Sequence, residues 1–140
     1  MIVISDYNKG CISYELVEEI LQQFRGPVFI DTKKTDLARF EGAFVKINSL
    51  ENSLAKTLPS QCIVTLGKQG CEYAGQIYPA PQVEVADVCG AGDTFLTALV
   101  YQYLKTEQIS EALLFANRAA SVTVKHMGVY APTLKEINEA

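Results

Sequence analysis

The stretch Met1-Ile-Val-Ile-Ser-Asp-Tyr-Asn-Lys-Gly-Cys-Ile-Ser-Tyr-Glu-Leu-Val-Glu-Glu-Ile-Leu-Gln-Gln-Phe-Arg-Gly-Pro-Val-Phe-Ile-Asp31 decides the fold. Ile2 to Ser5 is a short apolar run that reads as a buried strand. From Ser13, a plausible N-cap, the apolar residues Leu16, Val17, Ile20, Leu21 and Phe24 fall at helical spacing on one face. Gly26-Pro27 ends the helix, and Val28-Phe29-Ile30 opens a second strand that closes on Asp31. A strand, a helix and a strand in this order predict parallel pairing.

The same alternation continues outward. Ala43 to Ile47 predicts a third strand closing on Asn48, and Gln61 to Leu66 a fourth closing on Gly67. Cys71 to Pro79 predicts a hairpin with Ala74-Gly75 at the turn. Two helices are predicted near the end. One runs from about Ala91 to Leu104, with Leu96, Leu99, Val100 and Tyr103 on one face. The other runs from about Ser110 to Lys125, with Leu113, Ala116, Ala120 and Val124 aligned, and a tail helix follows Pro132. The fold class is therefore α/β, a mostly parallel sheet with helices on both faces. Ligands of such sheets sit at the carboxyl ends of the strands, where Asp6, Asp31, Asn48 and Gly67 are expected.

Composition narrows the class. The 140 residues, 49% hydrophobic and 20% charged, suit one globular domain and exclude disorder. Twelve basic residues against sixteen acids give a net charge of −4, so neither a nucleic-acid surface nor a membrane partner is expected. No apolar run approaches the ~20 residues that span a bilayer, and the amino terminus lacks the basic region of a signal peptide. Cys11, Cys62, Cys71 and Cys89 form no C-x-x-C pair, so no zinc site is expected, and reduced thiols in a cytoplasmic protein are.

The segment Asp87-Val-Cys-Gly-Ala-Gly-Asp-Thr-Phe95 carries the chemistry. Glycines let a backbone approach a ligand closely, and the first N–H groups of a helix attract anions. An acid there would repel phosphate, so phosphate binding does not explain Asp93. The residues alone leave two readings of Asp93: a base that takes a proton from an attacking hydroxyl, or the cap of a helix after a glycine turn.

This segment resembles the signature of the ribokinase-like (PfkB) carbohydrate kinases. Asn48-Ser-Leu-Glu51 is similar to the family's N-x-x-E, and Thr65-Leu-Gly-Lys-Gln-Gly70 to its T-L-G-x-x-G. Phe115-Ala-Asn117 resembles its helix bearing an Asn near adenine. Ser5-Asp-Tyr-Asn-Lys-Gly10 and the Asp31-to-Asp36 run, with Phe40 and Gly42, resemble segments of heptose 7-phosphate kinases, the kinase domains of bifunctional ADP-heptose synthesis enzymes. The resemblance implies a Rossmann-like, ribokinase-like fold, and a chain that is the carboxyl-terminal, nucleotide-binding part of a kinase domain over residues 1–140, without the β lid.

The resemblance implies roles as well. Asp93 is the base on the sugar hydroxyl, and Gly90, Ala91 and Gly92 form the anion hole for the γ-phosphate of ATP. Asn48, Thr65, Gly67, Gly70 and Asn117 bind the nucleotide. Glu51 orders Mg²⁺ through water, and Asp87, with backbone near Cys89 and Gly128, holds a monovalent cation such as K⁺. Asp6 and Lys9 sit near the reacting groups, and Lys9 or Lys33 neutralises phosphate. Blander readings stand beside these: Glu51 as a solvated acid, Lys9 and Lys33 as surface lysines, Asn117 as an ordinary helix residue, and His126 as structural.

Three departures bear on activity. A complete member is roughly twice as long, which is still one domain's length. Only sixteen residues separate Asn48 from Thr65, and the segment Glu51 to Pro59 allows at most about two helical turns, so a covering helix is shortened and part of the sheet is expected to lie bare. Cys89 stands where Thr is commoner. Met1, just before a strand, suits an expressed fragment or a truncated reading frame. The expected partners are ATP and a small sugar or sugar phosphate, with homodimerisation, pairing with a separate amino-terminal half and marginal stability all open. Three functions follow: a sugar kinase of the heptose 7-phosphate type, a kinase for ribose, fructose or deoxygluconate, or a non-catalytic nucleotide-binding part of a split kinase.

Overall fold

A computed structural model describes all 140 residues. The chain divides into two compact units. The first holds Met1–Leu66 and Glu72–Gln76; the second holds Gly67–Cys71 and Ile77–Ala140. Six strands run in the order β1 (Ile2–Asp6), β2 (Val28–Thr32), β3 (Phe44–Asn48), β4 (Cys62–Thr65), β5 (Cys71–Tyr73), β6 (Gln76–Tyr78). The first four pair in parallel, as the alternation predicts, with Ile2 opposite Val28, Phe29 opposite Phe44 and Val45 opposite Cys62.

In the first unit the connections are short. Helix α1 (Tyr14–Gln23) starts at Ser13, whose hydroxyl accepts the Leu16 N–H at 3.1 Å. Val17 is fully buried, and Ile20, Leu21 and Phe24 pack against the core. Leu16 departs from the expected face and is exposed. A 3₁₀ turn (Leu37–Phe40) joins β2 to β3, and Leu37 and Phe40 are fully buried. One sheet face contributes Ile4, Val28, Ile30, Val45, Ile47 and Val64 to this core. On the alternate positions Phe29 stacks on Phe44 with ring centroids 4.8 Å apart.

Helix α2 (Ser49–Leu54) is as short as expected. Part of the sheet does lie bare, at its β1 edge: Val3, on the face of Phe29 and Phe44, is 47% exposed, whereas Phe29 and Ile63 are fully buried and Phe44 nearly so. Leu50 and Leu54 of the short helix, and Leu58 in the loop after it, are exposed as well.

Ala74 (φ 51°) and Gly75 (φ 76°) join β5 to β6 in left-handed conformation, which fits a two-residue hairpin turn. In the second unit α3 (Ala91–Thr106) packs on α4 (Ile109–Thr123). Leu96, Leu99, Leu113 and Ala116 are buried as expected, and the buried faces also take in Phe95, Ala98, Ala112, Phe115, Ala119 and Val122. Ala120 and Val124 are only half-buried. The tail helix α5 (Leu134–Glu139) opens with a capping box between Thr133 and Glu136. No helix is long and apolar enough to cross a membrane.

Candidate active site

In the first unit the candidate residues gather where β1, β2 and β3 end. Asp6 closes β1 and is buried. Its Oδ1 accepts the Asn8 N–H at 2.8 Å and its Oδ2 the Thr32 hydroxyl at 2.9 Å. Lys34 Nζ lies 3.4 Å from Oδ2 and donates to Asn8 Oδ1 at 3.0 Å. Lys34 is itself buried, and its ammonium sits 5.1 Å from the Tyr14 ring centre. This net holds Asn8 in its left-handed conformation, φ 54°, at the start of the loop that carries Lys9. Lys9 is exposed and makes no ion pair.

Lys34 and Lys46 escape the sequence reading. Lys34 differs from Lys33 only in parity: it points inward and Lys33 outward. Lys46 leaves a legible signal, a lysine inside the apolar run Phe44 to Ile47. A buried ammonium needs an anion, and the parallel register sets Lys46 opposite Asp31, at 2.8 Å. Burial pushes the Asp31 carboxyl above its ordinary range, with Lys46 acting against that rise. Asp31 lies within β2, which runs one residue further to Thr32.

Asn48 and Glu51 form the capping box of α2. Asn48 Oδ1 accepts the Glu51 N–H, and Glu51 Oε2 accepts the Asn48 N–H, both at 2.8 Å. The other Glu51 oxygen holds Lys33 Nζ at 2.8 Å, and this pairing raises the Lys33 pKa. Thr65 donates to the Ile47 carbonyl at 3.3 Å, and the Ser49 hydroxyl donates to the Thr65 carbonyl at 3.1 Å.

The second unit carries the glycine segment. Asp87 Oδ1 accepts the Cys89 N–H at 3.1 Å and Oδ2 the Gly128 N–H at 2.9 Å. Those donors hold the Asp87 carboxyl below its usual range. Gly90 is the N-cap of α3 at φ 77°, and a Cβ on it would stand 3.3 Å from Val129 Cγ1. Among the expected anion-hole donors Ala91 is the exception, because its N–H is taken by the Val88 carbonyl at 3.2 Å. The N–H groups of Gly90, Gly92 and Asp93 make no backbone bond. Asp93 is the third residue of α3, is exposed, and its carboxylate has no hydrogen-bond or ion-pair partner. It therefore caps nothing. Thr94 and Thr123 join the start of α3 to the end of α4, their hydroxyls 3.1 Å apart.

Gly67–Gln69 is a 3₁₀ turn closed by the Gly70 N–H on the Gly67 carbonyl at 3.0 Å. Gly70 has φ 99°, and a Cβ there would stand 2.1 Å from the Tyr78 carbonyl oxygen. Asn117 is buried, its Nδ2 donating to the Tyr78 carbonyl at 2.8 Å. The same nitrogen lies 3.6 Å from the Cys71 sulfur. The Asn117 amide thus pins the exit of the hairpin. Burial pushes the Cys71 thiol up to about 11. His126 stacks on Tyr130 at 3.7 Å, in keeping with a structural residue.

Residues 13–136 match the family described as pfkB family carbohydrate kinase. The chain is 36% identical to bifunctional protein HldE of Nitratiruptor sp. over 163 aligned residues, which cover 99% of this chain and 35% of that protein. HldE of Helicobacter pylori is 31% identical, with 97% of this chain and 35% of that protein covered. The fold is shared with ribokinase of Thermotoga maritima (TM-score 0.78, 20% identity) and with Arabidopsis thaliana ribokinase complexed with ribose and ATP (TM-score 0.76, 22% identity). Each alignment covers 99% of this chain and 55% of the solved one. The chain thus spans about a third of these curated relatives and about half of the solved kinases.

Proposed function

Because the chain belongs to the pfkB family of carbohydrate kinases, we propose that it forms the nucleotide-binding half of a site that moves the γ-phosphoryl group of ATP to a sugar or sugar-phosphate hydroxyl. The observation that carries this reading is the unpartnered Asp93 carboxylate beside free N–H groups at the start of α3. Asp93 accepts the proton of the acceptor hydroxyl as its oxygen bonds to the γ-phosphorus. The bond from that phosphorus to the β–γ bridging oxygen breaks, and ADP leaves. The N–H groups of Gly90 and Gly92 meet the charge on the transferring group, and the α3 dipole adds to them.

The donor set fits Mg²⁺ carried in by the nucleotide, since such an ion takes most of its ligands from phosphates and water. Glu51 is the protein group proposed to touch it through water, and it must share its Lys33-bound oxygen to do so. Bound there, the ion neutralises phosphate charge. Asn48, Thr65, Gly67, Gly70 and Asn117 are proposed to line the nucleotide path. Asp87 orders the loop where a monovalent cation such as K⁺ would bind, and its two oxygens already hold that loop by N–H groups.

Heptose 7-phosphate is the proposed acceptor, on the strength of the Ser5–Gly10 and Asp31–Asp36 segments. Lys9 is the proposed cation for the substrate phosphate, because Lys33 is paired and Lys34 is buried. The setting is proposed as cytoplasmic. A second reading rests on the chain's spanning 55% of the solved kinases. In it the chain works only when paired with an amino-terminal half, or binds nucleotide without turnover.

The test starts with calorimetric titration of the chain with MgATP. Phosphorylation of heptose 7-phosphate is then compared with ribose, fructose and deoxygluconate, with and without an added amino-terminal half. Heptose phosphorylation that disappears in Asp93→Asn supports the first reading. Turnover only with the added half supports the second. A folded chain that neither binds MgATP nor turns over with the half removes both.

A further inference from the structure

The lysine–carboxylate pairs at the ends of the first strands differ in whether the lysine can leave. Lys34 and Lys46 are buried against Asp6 and Asp31. Neither ammonium can turn to water without leaving a buried acid unmatched. The Lys33 side chain is 49% exposed, whereas that of its partner Glu51 is only 11% exposed. The lysine can swing out at little cost, and the acid cannot follow it. Glu51 is also fixed by the capping box, where Oε2 accepts the Asn48 N–H, so Oε1 is the oxygen left for a cation.

Sharing Oε1 with a divalent ion sets two cations against one carboxylate oxygen, and charges of like sign that close repel. The one free to move is Lys33. Its Nζ already lies 5.8 Å from the centre of the Tyr7 ring, on the loop that carries Lys9. Asp31, the other acid that acts on Lys33, is held by Lys46 at 2.8 Å and offers no second anchor. Lys9 makes no ion pair, so a released Lys33 puts a second unmatched ammonium beside that loop, a setting for a doubly charged phosphate. Building on the kinase reading, we propose that Lys33 is an exchangeable cation: it holds Glu51 until a divalent ion takes that oxygen, and the released ammonium then joins Lys9 on the phosphate of the acceptor. The ion and the acceptor phosphate thereby strengthen each other's binding through Lys33.

The test uses the whole chain, without nucleotide or turnover. Mn²⁺ alone is the first probe, since it takes oxygen ligands as Mg²⁺ does and broadens the signals of nearby nuclei. The amide signals of Asn48 and Glu51 are followed in the nitrogen-15 spectrum. Lys33→Met should lower the Mn²⁺ concentration for half-broadening about threefold, and Lys33→Arg, which keeps the charge, should keep the wild-type value. Sulfate is the second probe, read at the Tyr7 and Lys9 amides. Saturating Mg²⁺ should lower the sulfate concentration for half the shift about threefold in the wild type and leave it unchanged in Lys33→Met. Equal Mn²⁺ responses in the wild type and Lys33→Met overturn the exchange, as does a lack of broadening at Glu51 in every variant. A Mg²⁺ effect on sulfate that survives in Lys33→Met also overturns it, because the ion itself would then bridge to the anion. None of these outcomes involves Asp93 or phosphoryl transfer, so the kinase reading stands or falls separately, in the turnover assay.

Discussion

At the ends of the first strands every candidate acid has a cation against it, whereas the acid that opens α3 has none. Asp6 faces Lys34, Asp31 faces Lys46, and Glu51 faces Lys33. Asp93 has only free backbone N–H groups nearby. Acids already matched by lysines are spent on holding loops and strand ends. An acid without a partner at a helix start remains able to take a proton. The chemistry is therefore proposed at Asp93, and the lysine-paired acids hold the strand ends and loops of the first unit.

The largest expected effect comes from removing the unpaired acid. Asp93→Asn should lower phosphoryl transfer by about 10³-fold while MgATP affinity changes little, since the N–H donors stay. Steady-state kinetics with calorimetry checks this. Equal loss of both would make Asp93 a binding residue.

Breaking a matched pair should instead show in stability. Lys46→Met leaves Asp31 charged in a buried place and should cost about 3 kcal/mol in urea unfolding. The pH dependence sharpens the point. The Asp31 pKa is raised in the folded state, so the native protein holds that proton more tightly than the unfolded one. Stability from this group therefore falls as pH rises from the ordinary carboxylate range through the raised value. Lys46→Met should steepen that fall, and an unchanged pH slope would mean that Lys46 does not charge-balance Asp31.

The glycine loop gives an internal contrast of intermediate size. Gly70→Ala drives a Cβ to 2.1 Å from the Tyr78 carbonyl oxygen and should destabilise by roughly 3 kcal/mol. Gly67→Ala meets nothing within 4 Å at φ 58° and should lose only about 1 kcal/mol. Chemical denaturation of both variants measures the gap.

The smallest stability effect is expected at Glu51→Gln. Glutamine preserves the capping box, and Lys33 is half exposed, so the change should stay within about 0.5 kcal/mol. If Glu51 also orders the metal, the Mg²⁺ concentration for half-maximal rate should rise several-fold. An unchanged Mg²⁺ dependence would leave Glu51 a cap alone.

The candidate site was legible in the sequence to differing degrees. Ser13 and Gly75 could be placed because caps and turns depend on local chemistry, whereas the capping box of Asn48 with Glu51 shows only in the structure. Asp93 could be placed for the same reason, since a glycine turn and an amphipathic helix flank it. Lys34 could not, because which of two adjacent lysines turns inward depends on the strand before it and on Tyr14, far away in the chain. Nor could the state of Asn117, whose amide is spent on carbonyls of the hairpin exit. Leu16 was placed on the buried face and lies exposed, because periodicity marks a stripe and not its width.

The sequence by itself determined the order of strands and helices, the parallel pairing that follows from it, and the glycine segment that opens α3. Those are consequences of period, propensity and local turn chemistry. Only the tertiary structure decided which charges are matched. A carboxylate at a strand end is free or spent according to whether a lysine from a neighbouring strand or loop reaches it. Strand register and side-chain parity set that reach, and both are settled when the elements pack.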